Sequence, residues 1–88
     1  MPNRLTTTRL RIGAEVFARN RDYLGVLSAR SPSYFEVTHP QLGSFWLHAE
    51  CVLKFDPSQV VLTILPGELH GYRRARPGED EEVLPPDV

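Results

Sequence analysis

Leu24–Val52 reads LGVLSARSPSYFEVTHPQLGSFWLHAECV, and the reading of this stretch decides the fold. Its middle run, Ser33–Thr38, sets Phe35 and Val37 against Tyr34, Glu36 and Thr38. Strand side chains alternate between faces with period two, so apolar and polar positions separate cleanly. The next run, Ser44–His48, puts Phe45 and Leu47 on one face, with Ser44, Trp46 and His48 on the other. The first run, Leu24–Arg30, is less regular. Its phase turns Leu27 and Ala29 inward and Val26, Ser28 and Arg30 outward, leaving Leu24 out of step beside Gly25. A glycine within a strand pattern marks a bulge or a close backbone approach, and a bulge there lets Leu24 and Leu27 share the inner face. Ser31-Pro32-Ser33 and His39-Pro40-Gln41-Leu42-Gly43 read as the two turns. Two prolines, an interior glycine and many aromatic or β-branched residues argue against helix.

Outward from this meander the signals weaken. Leu10–Arg19 predicts a first strand, with Ala14 and Val16 inward and Glu15 and Phe17 outward. Asn20-Arg21-Asp22 is a polar turn. After Leu47 the apolar spacing becomes three (Ala49, Val52, Phe55), which predicts a single helical or 3₁₀ turn near residues 49–53. Val60, Leu62 and Ile64 alternate with Val61 and Thr63 in a last strand, and Pro66-Gly67 ends it. Glu68–Arg74 reads as a short closing segment.

The 88 residues fit one domain with a small core. Residues 1–9 read as a polar arm, 10–72 as the β domain and 73–88 as an acidic, disordered tail. Residues 1–76 hold all ten Lys/Arg against six acids, a net of +4; residues 77–88 hold five acids and no cation, a net of −5. The single cysteine excludes an intramolecular disulfide and a cysteine-rich zinc site. The polar start predicts no secretory leader, and no apolar run is long enough to span a membrane, so a cytoplasmic protein is expected. Short strands at regular spacing with no long helix predict an all-β fold: a small, closed or nearly closed antiparallel β-barrel of five to six strands. The expected inner set is Ala14, Val16, Leu24, Leu27, Ala29, Phe35, Val37, Phe45, Leu47, Val52, Phe55, Val60, Leu62 and Ile64.

The order of these signals resembles the PRC-barrel superfamily, especially its small stand-alone bacterial members of uncharacterised role. The matching pieces are Gly13-Ala14-Glu15-Val16, Leu24-Gly25-Val26-Leu27, Phe45-Trp46-Leu47-His48-Ala49-Glu50-Cys51-Val52 and Val60-Val61-Leu62. Together they cover roughly residues 10–65. The turn at Asn20–Asp22 lacks the glycine usual there, and His48 stands where the family often has proline. The family includes the cytoplasmic domain of the photosynthetic reaction-centre H subunit and the C-terminal domain of a ribosome-maturation factor. The resemblance implies a protein-binding or assembly module.

Candidate sites follow from residue type. If the hairpins pair in register, Arg30, Tyr34, Glu36, Trp46 and His48 share the outer face of the meander, and Tyr, Trp and Arg are the types that anchor interfaces. Three readings of that face stand open: a protein contact patch, a self-complementary dimer face, and a Trp46 covered by the arm or tail of its own chain. Exposed aromatics beside scattered arginines also admit single-stranded nucleic acid, although only Arg73-Arg74 cluster and the tail opposes phosphate. His39, His48 and His70 match no metal-ligand spacing, so no metal is expected. His48 and Cys51 can be drawn as an imidazole–thiol pair, but no pocket accompanies them, and Cys51 reads as a packing residue. Phosphate loop, nucleophile elbow and paired-carboxylate motifs are absent. Val83 and Leu84 are the only apolar pair in the tail and read as anchors of a short docking segment, against the plainer reading of a solubilising end. The expectation is a non-catalytic docking module without cofactor; its alternative is a weak single-strand nucleic-acid binder.

Overall fold

The alternation around Phe35 and Phe45 does build the meander. The computed structural model describes residues 9–74 and 83–84. Strand β1 is Glu15–Phe17, β2 Tyr23–Arg30, β3 Tyr34–His39 and β4 Gly43–His48; a 3₁₀ turn at Ala49–Cys51 leads into β5, Val52–Phe55, and then β6, Gln59–Leu62. A 3₁₀ turn at Pro66–Glu68 and a one-turn helix α1, Leu69–Tyr72, follow. The strands form one sheet in the order β4-β3-β2-β1-β6-β5. Among the described residues no helix is long and apolar enough to cross a membrane.

Two features depart from the expected antiparallel, closed barrel. Strand β1 pairs with β6 in parallel, Val16 opposite Val60. The sheet curls as an open half-barrel, with β4 and β5 as its outer strands. Strand β5 itself is an addition to the expected pattern. The 3₁₀ turn ends at Cys51, and Val52 and Phe55 then pair with Leu62 and Val60. A bulge within β5 accounts for the three-residue spacing that reads as helix in the sequence.

The core is the inner face of the curl. Leu27, Phe35, Val37, Leu47, Val60 and Leu62 are fully buried, joined by Ala14, Val16, Leu24, Phe45 and Ile64, with Val52 and Phe55 packed at its margin. Leu10, Ala18 and Leu69 belong to it as well, and the sequence pattern had not marked them. Leu10 and Leu69 lie on the segments that flank the strands in the chain.

The bulge beside Gly25 is present: Val16 opposes Gly25, Phe17 opposes Tyr23, and Leu24 is the extra residue. Leu24 and Leu27 therefore both reach the core. Gly25 has φ +141°, and a Cβ there would collide with the Thr38 carbonyl oxygen on β3. Glycine is what allows β2 and β3 to approach so closely.

A second bulge overturns part of the expected facing. The register slips between Leu27 and Ala29, so Ala29 opposes Glu36 and Arg30 opposes Phe35. Ala29 leaves the inner set, and Arg30 enters the inner face, 3% exposed. The extra residue is Ser28. Its hydroxyl donates to Glu36 Oε1 at 2.7 Å and accepts from Thr38 Oγ1 at 2.8 Å. Thr38 has thus used its one proton, so the 2.9 Å contact between Thr38 Oγ1 and Ser44 Oγ is donated by Ser44. Hydroxyl protons run one way across β4, β3 and β2 and end on the Glu36 carboxylate.

The described tail residues touch the sheet edges twice. Arg74 exchanges both backbone hydrogen bonds with Trp46, each 2.8 Å, on the edge of β4, and the Leu84 N–H donates to the Arg30 carbonyl at 2.6 Å. The remainder of the 73–88 tail, and the 1–9 arm apart from Arg9, lie outside the described residues.

Candidate functional site

The five-residue patch read from the sequence is divided by the fold. Its two cross-strand pairs are real: Tyr34 opposes His48 and Glu36 opposes Trp46, all four on the outer face of β3 and β4. Arg30 is not with them. The bulge at Ser28 reverses its parity, and its guanidinium reaches inward to the Leu10 carbonyl at 2.7 Å. Trp46 is 5% exposed, so it is not an open contact residue. Its edge is occupied by Arg74.

The open part of this face is a shallow groove. It is lined by Tyr34 and His48 from β3 and β4, Glu50 and Cys51 from the first 3₁₀ turn, and Gly71–Arg74 from the end of α1. The His48 ring meets Tyr34 edge-on, centroids 5.0 Å apart at 85°. His48 Nδ1 accepts the Glu50 N–H at 3.0 Å and so caps the 3₁₀ turn. The Arg74 guanidinium lies over the Tyr34 ring, 5.4 Å from its centroid, a cation–π contact. Tyr72 is 53% exposed, and Arg73 is exposed beside it. Arg74 thus takes the place next to Tyr34 that the sequence assigns to Arg30. Tyr72 carries no sequence signal; the Arg73-Arg74 doublet, the one cluster of cations in the chain, is the cue that was legible.

The order of elements makes the groove. Strand β6 ends at Leu62, short of the Ile64 expected from the alternation, and Pro66 and Glu68 start the closing turn, where the Glu68 carboxylate accepts the Leu65 N–H at 2.9 Å. Leu69 then plugs into the core and fixes α1. The helix ends at Arg73, whose backbone is extended and whose N–H donates to the Leu69 carbonyl at 3.0 Å. Extension carries Arg74 onto the edge of β4.

Chemically, the groove offers recognition groups. Cys51 is buried, and burial, with the neighbouring Glu50 charge next, pushes its thiol above the usual range against a weaker opposing hydrogen bond at His48. A nucleophilic thiol needs the opposite shift. The three histidines stand apart in role: Nδ1 of His39 accepts the Gln41 and Leu42 N–H groups at 2.9 and 3.0 Å, His48 caps, and His70 sits exposed on α1. A second depression, lined by Arg21, Lys54, Phe55, Asp56, Gln59 and Val61, lies on the β5–β6 hairpin. Its one carboxylate is committed to the turn: Asp56 Oδ1 accepts from the Ser58 N–H, the Ser58 hydroxyl and the Gln59 N–H at 2.8–2.9 Å. In comparison with known proteins, the chain matches no family model, and no characterised protein or solved structure matches it either.

Proposed function

We propose that this chain is a non-catalytic docking module that binds a protein partner through the groove between β3–β4, the first 3₁₀ turn and the end of α1. The observation that carries the reading is the concentration of interface-type side chains at one open place. Tyr34, Tyr72, Arg73 and Arg74 line it together, and Tyr72 stands more than half exposed. Tyrosine supplies large contact area for little loss of side-chain freedom, and arginine supplies directional, multidentate hydrogen bonds, and both are enriched in binding hot spots. The raised pKa direction of Cys51 supports a non-catalytic role for the thiol. The resemblance to the PRC-barrel superfamily points to assembly in the same way, within the cytoplasm of a bacterial cell.

The alternative class is single-stranded nucleic-acid binding. It is favoured by the Arg74–Tyr34 stack, since bases stack on similar platforms. The two readings separate in one pair of measurements on the full chain. Proteins captured from host lysate by the wild type are expected to be lost with Tyr72→Ala. An oligonucleotide titration is expected to show no binding at any salt concentration. Oligonucleotide affinity that falls steeply with salt, with lysate capture indifferent to Tyr72→Ala, would replace the proposal with the alternative.

A further inference from the structure

The groove carries a charge pattern as well as a shape, and that pattern specifies the chemistry of its occupant. The Arg74 guanidinium stands at one end, over the Tyr34 ring, with Arg73 preceding it in the lining, and neither arginine has a carboxylate partner among the described residues. Glu50, with a side chain 83% exposed, stands at the other end beside His48. Tyr34 and His48, in edge-to-face contact, lie between Arg74 and Glu50, and Tyr72 and Gly71 belong to the same lining. We infer that the groove takes an extended acidic segment of a partner protein, with two adjacent carboxylates on Arg73 and Arg74. This rests on the docking reading given above and adds the identity of what docks.

Arginine forks match carboxylates in a bidentate geometry that a single lysine cannot reproduce. Arg74 is held in place before binding, its backbone bonded to β4 and its guanidinium parked on Tyr34, so little order is lost when a carboxylate arrives. At the far end Glu50 accepts a backbone or side-chain N–H of the same segment. The alternation of sign along the groove disfavours a nucleic-acid strand. A phosphate chain running past both arginines would meet the Glu50 carboxylate, and two cations give it little counterion release. The acidic run Glu79–Glu82 of this same sequence has the charge that the groove complements. A partner segment must therefore be tested against competition from it.

The experiment is fluorescence anisotropy on the full chain. The probes are a fluorescein-labelled peptide of about ten residues with two adjacent glutamates in a Gly/Ser background, its glutamine counterpart, and an oligo-dT of similar length. Proteins are the wild type, the double variant Arg73→Gln/Arg74→Gln, and a chain with its own run neutralised (Glu79→Gln, Asp80→Asn, Glu81→Gln, Glu82→Gln). The side chains of Arg73 and Arg74 are exposed, so the double variant is expected to keep the wild-type circular dichroism. The acidic peptide is expected to bind and the glutamine peptide to bind about tenfold more weakly; the double variant should lose about the same factor. Neutralising the run should leave affinity equal or raise it. Absence of acidic-peptide binding in the neutralised chain, or equal binding by the double variant, would overturn the inference. Lysate capture that still depends on Tyr72 would then leave the docking reading standing. Tighter binding of oligo-dT than of the acidic peptide would overturn both.

Discussion

Single residues hold positions that no ordinary side chain could fill without strain. Gly25 is the sharpest case, because its φ is left-handed and its missing Cβ is where the Thr38 carbonyl sits. Gly25→Ala is expected to cost roughly 2–4 kcal/mol in urea unfolding, through backbone strain and overpacking together. Arg21 is the reverse case. It is a non-glycine residue at φ +75°, in the turn closed by the Ala18 N–H bonded to the Asp22 carbonyl at 2.8 Å. Arg21→Gly is expected to raise stability by a few tenths to about 1 kcal/mol, the relief of the left-handed strain exceeding the entropy glycine adds to the unfolded chain. Cys51 tests the non-catalytic reading directly. With its thiol pKa raised by burial and by Glu50, its reaction with a disulfide reagent at neutral pH is expected to be slower than that of a free thiol. A faster reaction would reopen the imidazole–thiol pair with His48.

At the scale of the element, the β5–β6 hairpin is tied by Asp56. Three donors from Ser58 and Gln59 converge on its carboxylate and hold its pKa below the usual value, the Ser58 backbone N–H first among them. A depressed folded pKa contributes stability that is present above the unfolded pKa and lost as pH falls through the folded one. Wild-type stability is therefore expected to fall more steeply than that of Asp56→Ala as pH drops below about 4, and the two should run parallel above it. Urea midpoints measured between pH 2.5 and 6 check this. The elements also show which parts of the fold were legible. Strict alternation at Phe35–Val37 and Phe45–Leu47 fixed two strands and their facing, since period two admits one solution. The first bulge was legible because Gly25 announces it. The second was not, because its extra residue, Ser28, differs from an ordinary outward serine only through bonds to Glu36 and Thr38, both distant in sequence. One unannounced residue reversed Ala29 and Arg30, and Arg30 left the candidate patch as a consequence. Strand β5 was hidden in the same way, its bulge turning a two-residue rhythm into a three-residue one.

Over the whole molecule, the described tail residues close on the sheet. The Leu84 N–H caps the edge of β2 at Arg30, and Arg30 in turn holds Leu10, so one residue secures both flanking segments. Leu84→Pro deletes that donor and is expected to cost about 1 kcal/mol, read from thermal unfolding followed through Trp46, the only tryptophan in the chain. The groove was half legible for a related reason: Tyr34 and His48 lie in the patterned meander, whereas Tyr72 and Arg74 reach it only through the closing turn. The parallel pairing of β1 with β6 has its own consequence, for how the chain matures. Strand β1 emerges from the ribosome some forty residues before the partner that completes it, so the first four strands must wait with one flank bare. Assembly is then limited by closing that long loop rather than by forming the local hairpins. Substitutions at the Val16–Val60 contact should therefore be felt in the rate of refolding, and those at the Asp56 turn chiefly in the rate of unfolding.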